Sequence, residues 1–486
     1  MKRLVKRFLF AFLMCALCAP AIAEERPGLT YTDPYMVTLN PASEMNIIWL
    51  TKEPCEGVVE YGTTPEMGSF ANAVRYELKG MRTSATPEGY DPIPEKNPEL
   101  PVYQLIAKLG NLKPGTVVYY KATTKKGGKS ESGKRFFFKT APEKGKDFDF
   151  ALVSDMQLKV KTKETLYFLG MQHKDFILFA GDLANTPWKA GEWFNVTGCY
   201  QAPGEDDRTF FEAFQQDGGN CQLMQYMPVF YCAGNHEVDD QRVSTEKAFA
   251  TDDSRWSWSI YMQLFRPLYP EQEYGVGGRR WYSADYGDLH ITSINVHRWQ
   301  AWDGFEAPGW ITKDDVSPES KQVKWLKEDL EKSGAKYKWV LMHWHMLNRG
   351  EDGYTPVSDP VIDKKDPTKV TYPAGDYCYS VLRPLYERYG VNAVNFGHSH
   401  VYERYLLNGV NYIEAASIGN NYRGTNDPYH FSGVQPVVEA NDFRTFMLVH
   451  VGKDGMTAAG MQASLEDNKI GYIGRVIDTF TVAEAK

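Results

Sequence analysis

The chain has 486 residues, 43% of them hydrophobic and 24% charged, with a formal net charge of -8. That length accommodates two or more domains with sizeable cores, and the composition excludes a disordered chain. The acidic balance argues against a nucleic-acid backbone or an anionic membrane as the main partner, whereas a small anionic substrate stays open, because bound divalent cations reverse a local field whatever the net charge.

At the N-terminus, Lys2, Arg3, Lys6 and Arg7 precede an apolar run that ends in Ala21-Ile22-Ala23. This predicts a secretory signal peptide over residues 1–23. The run is short for a membrane anchor, and neither Cys15 nor Cys18 has the small preceding residue of a lipid-attachment site. Cleavage leaves 50 basic against 62 acidic side chains, or -12. The expected location is secreted or periplasmic, with no stable membrane anchor. Cys55, Cys199, Cys221, Cys232 and Cys378 remain in the mature chain. Five is odd for an oxidising compartment, so at least one thiol is expected to be free, with Cys199–Cys221 the preferred disulfide. No CxxC spacing suggests a structural zinc site.

From about residue 29 to 142, short alternating segments (MNIIWLT, GVVEYG, VYQLIAKL, TVVYYKATT) are separated by Pro and Gly clusters. The pattern predicts an antiparallel β-sandwich over residues 24–143. From residue 147 to 486, apolar strands each run into a polar cluster, with helices interspersed, as in an α/β (α+β) domain. One helix is readable in SPESKQVKWLKEDLEKSG: Ser317 as N-cap, Pro318 in the first turn, Val323, Leu326 and Leu330 on one face, Gly334 as the stop.

Five apolar runs carry the chemistry. FDFALVSDMQ ends in Asp155 and Gln157, DFILFAGD in Asp182, MPVFYCAGNHE in Asn235 and His236, KYKWVLMHWH in His343 and His345, and VNAVNFGHSH in His398 and His400. Singly, each has a plain reading as a turn former or a satisfied core histidine. Together they place carboxylate, amide and imidazole donors at the strand ends where α/β domains build ligand sites. No thiolate is among them, and the set suits two hard or borderline divalent cations.

The ordered motifs SD, GD, GNHE, VLMH and GHSH resemble the calcineurin-like metallophosphoesterases. GHSHVYER together with the preceding sandwich resembles the purple acid phosphatase branch, as do YSADYGDLHITSIN, the KQVKWLKEDLEKS helix and the final GRVIDTFTV strand. The resemblance implies a four-layer β-sandwich flanked by helices, preceded by a fibronectin type III-like domain. It also implies two divalent ions, zinc, manganese or iron. Asp155 and His400 would hold the first, Asp182 would bridge both, and Asn235, His343 and His398 would complete the second.

Three departures bear on this. The branch's tyrosine two residues past the Leu of GDL is replaced by Asn185, so no phenolate is available to colour a ferric ion. Gln157 stands where many relatives have histidine; it can ligate through its amide oxygen, act through a water, or serve as a hydrogen-bonding neighbour. The adjacent histidines of plant-type relatives after VLMH are missing, and His345 and Arg349 are the nearest polar replacements. The implied reaction is phosphate monoester hydrolysis by metal-activated hydroxide. His236 serves as acid or phosphoryl contact, steadied by Glu237, and His345 is a further substrate contact. Trp188, Trp299, Trp302, Tyr402 and Tyr422 are the candidate rim aromatics. Alternatives are a phosphodiesterase or nucleotidase on the same scaffold, or a binding protein with a degraded metal site. The expected partner is a small phosphorylated substrate, not a nucleic acid, and the sequence leaves the oligomeric state open.

Overall fold

The computed structural model describes residues 26–83, 97–157, 162–196, 209–215, 222–238, 256–269, 280–296, 316–344, 346–347, 361–362, 370–371, 378–415, 417–419, 434–440, 443–464 and 473–482. The signal segment, Cys199, Cys221, Trp299, Trp302, His345, Arg349 and Tyr422 lie outside them.

The N-terminal part is all β. One sheet orders Tyr35–Val37, Met45–Thr51, Val102–Leu109 and Val74–Leu78; the other orders Ser69–Asn72, Glu56–Gly62, Val117–Lys126 and Lys129–Ser132, with Phe136–Lys139 also paired to Val117–Lys126. Alternation drives the packing: Val118, Tyr120, Ala122 and Thr124 turn inward while their neighbours face out. They meet Ile47 and Trp49 of the facing sheet in one apolar cluster. The Trp49 indole N–H is satisfied there by Thr124 Oγ1 at 2.9 Å.

Two mixed sheets follow. The first orders Val229–Tyr231, Phe176–Phe179, Phe148–Val153, Thr445–Gly452, Gly455–Gln462 and Val476–Val482. The second orders Tyr282–Tyr286, Leu289–Ser293, Tyr337–Leu341, Ala393–Phe396, Val410–Ala415, Tyr402–Leu407 and Val438–Ala440. The sheets face each other through Phe150, whose ring meets Trp339 edge-on at 5.3 Å, and through Phe176 against Tyr286 at 4.3 Å. Strands covered on both faces are buried at every position, which is why FILF, YKWVL and AVNF are mostly apolar and show no alternation of burial, Lys338 and Asn395 being their only polar members. Within each sheet the motif-bearing strands are parallel, so their C-terminal ends share one edge. A parallel bridge from Ser154 to Ser417 ties the two sheets together there.

The large core also includes Tyr35, Val37, Ile48, Leu50 and Ile106 of the N-terminal sandwich. Polar contacts reinforce that seam. Tyr35 Oη and Gln104 Nε2 both donate to the Leu264 carbonyl at 2.8 Å, and Tyr120 Oη donates to the Gln225 carbonyl at 2.8 Å.

The readable helix spans Lys321–Lys332 and buries Val323, Leu326 and Leu330 against the second sheet. Its cap corrects the sequence reading. Ser320 Oγ, not Ser317, accepts the Val323 N–H, while the Ser317 carbonyl and Pro318 belong to the preceding turn. Ser333 closes the helix one residue before Gly334.

His290 clamps this helix to the sheet. Its Nδ1 lies 2.7 Å from Asp285 Oδ1 on the neighbouring strand, and its Nε2 lies 2.9 Å from Asp329 Oδ2 on the helix. Burial lowers the imidazole pKa, but hydrogen bonds and charge from Asp285 and Asp329 outweigh it and push the pKa up to about 9. A raised folded-state pKa stabilises fully below the unfolded value near 6.5, and that stability is lost as pH rises through about 9. Between pH 7 and 10 the Tm is expected to fall by more in the native chain than in His290→Gln. Equal falls in the two proteins would show that His290 carries no linked proton.

Candidate metal centre

Where the two sheets meet, the five strand ends converge. Asp155 follows Phe148–Val153, Asp182 follows Phe176–Phe179, Asn235 and His236 follow Val229–Tyr231, His343 follows Tyr337–Leu341, and His398 and His400 follow Ala393–Phe396. Eight non-glycine residues have positive φ among the described residues, and five of them are Asp155, Gln157, Asp182, His398 and His400. Such backbone costs energy and persists only where the surroundings over-determine it. Here the left-handed backbone falls just past three of the five strands, those ending at Asp155, Asp182 and His398, and it helps aim their side chains at one point.

The motif glycines make room for this. A Cβ on Gly234 would stand 2.0 Å from Asp182 Oδ1, and one on Gly397 would stand 2.5 Å from Asp155 Oδ2. Only a hydrogen fits at either place, which gives the glycines of GNHE and GHSH a physical role.

Donor atoms of Asp182, His343 and His398 lie within 4.8 Å of one another, and so do those of Asp155, Asp182 and His400. Asp182 belongs to both groups. Asn235 Oδ1 joins the first, 3.1 Å from His343 Nε2 and 2.8 Å from His398 Nδ1. In the second, His400 Nε2 is 3.4 Å from Asp155 Oδ1. Gln157 turns its amide nitrogen to the shared carboxylate, donating to Asp182 Oδ2 at 2.7 Å.

The electrostatics call for positive charge. His343 is fully buried, with Nε2 at 3.3 Å from Asp182 Oδ1 and 3.8 Å from Asp155 Oδ1. Burial lowers its pKa, yet the two carboxylates overcome that and push it up to about 10. Burial likewise raises Asp182, and the His343 and His236 imidazoles reverse this and hold it well below the usual carboxylate range. Two buried carboxylates facing a ring of imidazole and amide oxygen are donors that fit divalent cations.

His236 is partly exposed, with Nε2 at 3.8 Å from Asp182 Oδ2. Its Nδ1 donates to the Asn185 main-chain carbonyl at 2.8 Å, so Nε2 is the nitrogen directed into the centre. The sequence reading had Glu237 steadying this ring; the structure gives Glu237 another task. Its Oε2 accepts the Asp182 and Gly234 N–H groups at 2.9 and 2.6 Å, and its Oε1 accepts the Leu183 N–H at 2.8 Å. Burial and then the Asp182 charge raise its pKa to about 7. Glu237 thus fixes the turn that presents Asp182.

Two rim aromatics are corrected. Trp188 and Tyr402 are buried, the latter with its hydroxyl donating to Asp478 Oδ2 at 3.0 Å. The aromatic at the centre is Trp344, stacked on His398 with ring centroids 4.4 Å apart. Its position directly after His343 in VLMHWH was the available signal. Ser417, whose hydroxyl donates to the Asp155 carbonyl at 2.6 Å, carried no sequence signal. Cys55 and Cys232 are buried free thiols, and Cys378 is buried as well.

Comparison with known proteins agrees with this geometry. No curated protein sequence matches the chain. Among solved structures, the purple acid phosphatase PPD1 from yellow lupin (Lupinus luteus) seeds is similar, with 16% identity, coverage of 93% of this chain and 75% of that one, and a TM-score of 0.60. PhoD is similar with 14% identity, coverage of 96% and 94%, and a TM-score of 0.57. Both share the fold. The calcineurin-like phosphoesterase profile matches residues 148–402, a span that holds every strand end converging on Asp182, and the chain belongs to that family.

Proposed function

We propose that this protein is a secreted or periplasmic phosphomonoesterase dependent on two divalent cations. In this reading residues 1–23 are a cleaved signal, residues 24–143 a fibronectin type III-like domain and residues 147–486 the catalytic domain. The observation that carries it is the membership of Asp182 in both donor groups, which gives two cation sites one common carboxylate. Asp155, His400 and Asp182 would hold one ion beside Gln157; Asp182, Asn235, His343 and His398 would hold the other. Bound there, zinc, manganese or iron would neutralise phosphate charge and bring the pKa of coordinated water toward neutrality.

The chain's own groups supply the rest. Glu237 holds the Asp182 turn, and Trp344 fixes the plane of His398 by stacking. The Asn185 carbonyl holds the His236 Nδ1–H, so the imidazolium form presents its Nε2–H to the departing alkoxide and is left neutral after handing the proton over. The substrate is a small phosphorylated molecule. His345 is proposed as a further contact, from its place two residues after His343. No helix among the described residues is long and apolar enough to cross a membrane.

The test is hydrolysis of an aryl phosphate monoester, a bis-aryl phosphate diester and a nucleoside monophosphate by the purified chain, reloaded in turn with zinc, manganese and iron. Metal-dependent turnover with the monoesters preferred is the expected result. Preference for the diester would make the protein a phosphodiesterase. No turnover under any loading would make it a binding protein on an enzyme scaffold.

A further inference from the structure

The opposite end of the catalytic strand carries a second cluster of metal-ligating groups. Asp149 opens the strand whose far end delivers Asp155, about 20 Å away at 3.3 Å per residue. It lies beside Asp175, at the start of the neighbouring parallel strand, and opposite His450 on the antiparallel one. The chain has ten histidines. Four occupy the centre described above, and two, His173 and His450, meet at Asp149.

We propose that Asp149, His173 and Asp175 form a zinc-type cation site separate from the catalytic centre. Their donor atoms lie within 4.8 Å of one another. His173 Nε2 stands 3.4 Å from Asp149 Oδ2. A tetrahedral zinc ion with arms of about 2.0–2.1 Å has ligand atoms about 3.3 Å apart, so this pair already spans one edge. One imidazole with two carboxylates favours a borderline cation over calcium.

The remaining contacts orient the donors. His450 Nδ1 lies 2.7 Å from Asp149 Oδ1, the oxygen not facing His173, and so fixes the carboxylate as an outer hydrogen-bond partner does in metal sites. Asp175 Oδ2 accepts the Asp149 N–H at 3.0 Å, and Oδ1 accepts from Lys139 Nζ at 3.3 Å. Each oxygen keeps a second lone pair for a cation. Asp175 is 5% exposed and Asp149 28%, whereas the His173 side chain is 77% exposed and can complete or release the site. Occupied, the site would pin together the starts of two strands and the turn before the second.

The test uses the full mature chain, dialysed with zinc chloride and analysed for bound metal. The native protein is expected to hold one zinc more per chain than His173→Gln, with equal phosphate ester turnover. In the Asp182→Asn background, zinc affinity at this site is expected to weaken more than about 100-fold on His173→Gln and about 10–100-fold on His450→Gln. Zinc should raise the Tm of the single variant and not of the double. Equal zinc content in native and His173→Gln chains, or an unchanged zinc-dependent Tm, would overturn the site. Because the readout is a difference between two chains, it stands whether or not the catalytic centre proves active.

Discussion

Asp182→Asn is expected to abolish hydrolysis and to empty both cation sites together. The carboxylate is fully buried, belongs to both donor groups, and accepts the His236 N–H at 3.0 Å. Asparagine keeps the shape and removes the charge, so the substitution isolates electrostatics from packing. Stabilisation of phosphoryl charge by bound cations is worth several kcal/mol, and each 1.36 kcal/mol is tenfold, so a fall in kcat/KM of roughly a thousandfold or more is expected. Metal content by elemental analysis, measured in the His173→Gln background so that the separate cluster at Asp149 stays empty, should drop from near two per chain toward none. A variant that retains one tightly held ion would show that the sites load independently and that Asp182 does not link them.

His236→Ala is expected to slow turnover about 10²–10⁴-fold while leaving metal content unchanged. The ring is outside both donor groups, so its removal takes a proton donor and not a ligand. The size of the loss should follow the leaving group. An alkyl phosphate, whose alkoxide needs a proton, should suffer the full effect, whereas a nitrophenyl phosphate should suffer little. Equal losses for the two substrates would assign His236 to phosphoryl binding instead. Asn185 cannot be tested by side-chain replacement in the same way, because it is its main-chain carbonyl that meets the ring.

The site's parts were legible because strand and motif are local. FILF running into GD, or AVNF into GHSH, announces a buried strand and its polar end within ten residues. What could not be read depends on distant partners. Glu237 follows His236 in sequence, which suggested that the two cooperate, but its carboxylate finds N–H groups 54 and 55 residues away. Tyr402 sits beside the metal motif and reads in sequence as a rim residue, yet Asp478, 76 positions later, draws its hydroxyl inward. The helix cap turned on a choice between Ser317 and Ser320 that only the Val323 N–H decides. The alternation from about residue 29 to 142 made a β-sandwich plain; that its outer face would merge into the core of the following sheets was not.

That shared core changes what counts as a separable piece. Tyr35, Val37, Leu50 and Ile106 sit in the same apolar cluster as Phe179, Phe211 and Phe265, and the Tyr35 ring meets Phe211 at a tilt at 4.8 Å and Phe265 edge-on at 6.2 Å. Cutting the chain near residue 145 would therefore not release a module along a wet boundary; it would split a hydrophobic interior and strand the Leu264 and Gln225 carbonyls without their donors. The sandwich is thus a structural wall of the chain's second part, fixed by packing on the face it shares and open to solvent on its outer strands.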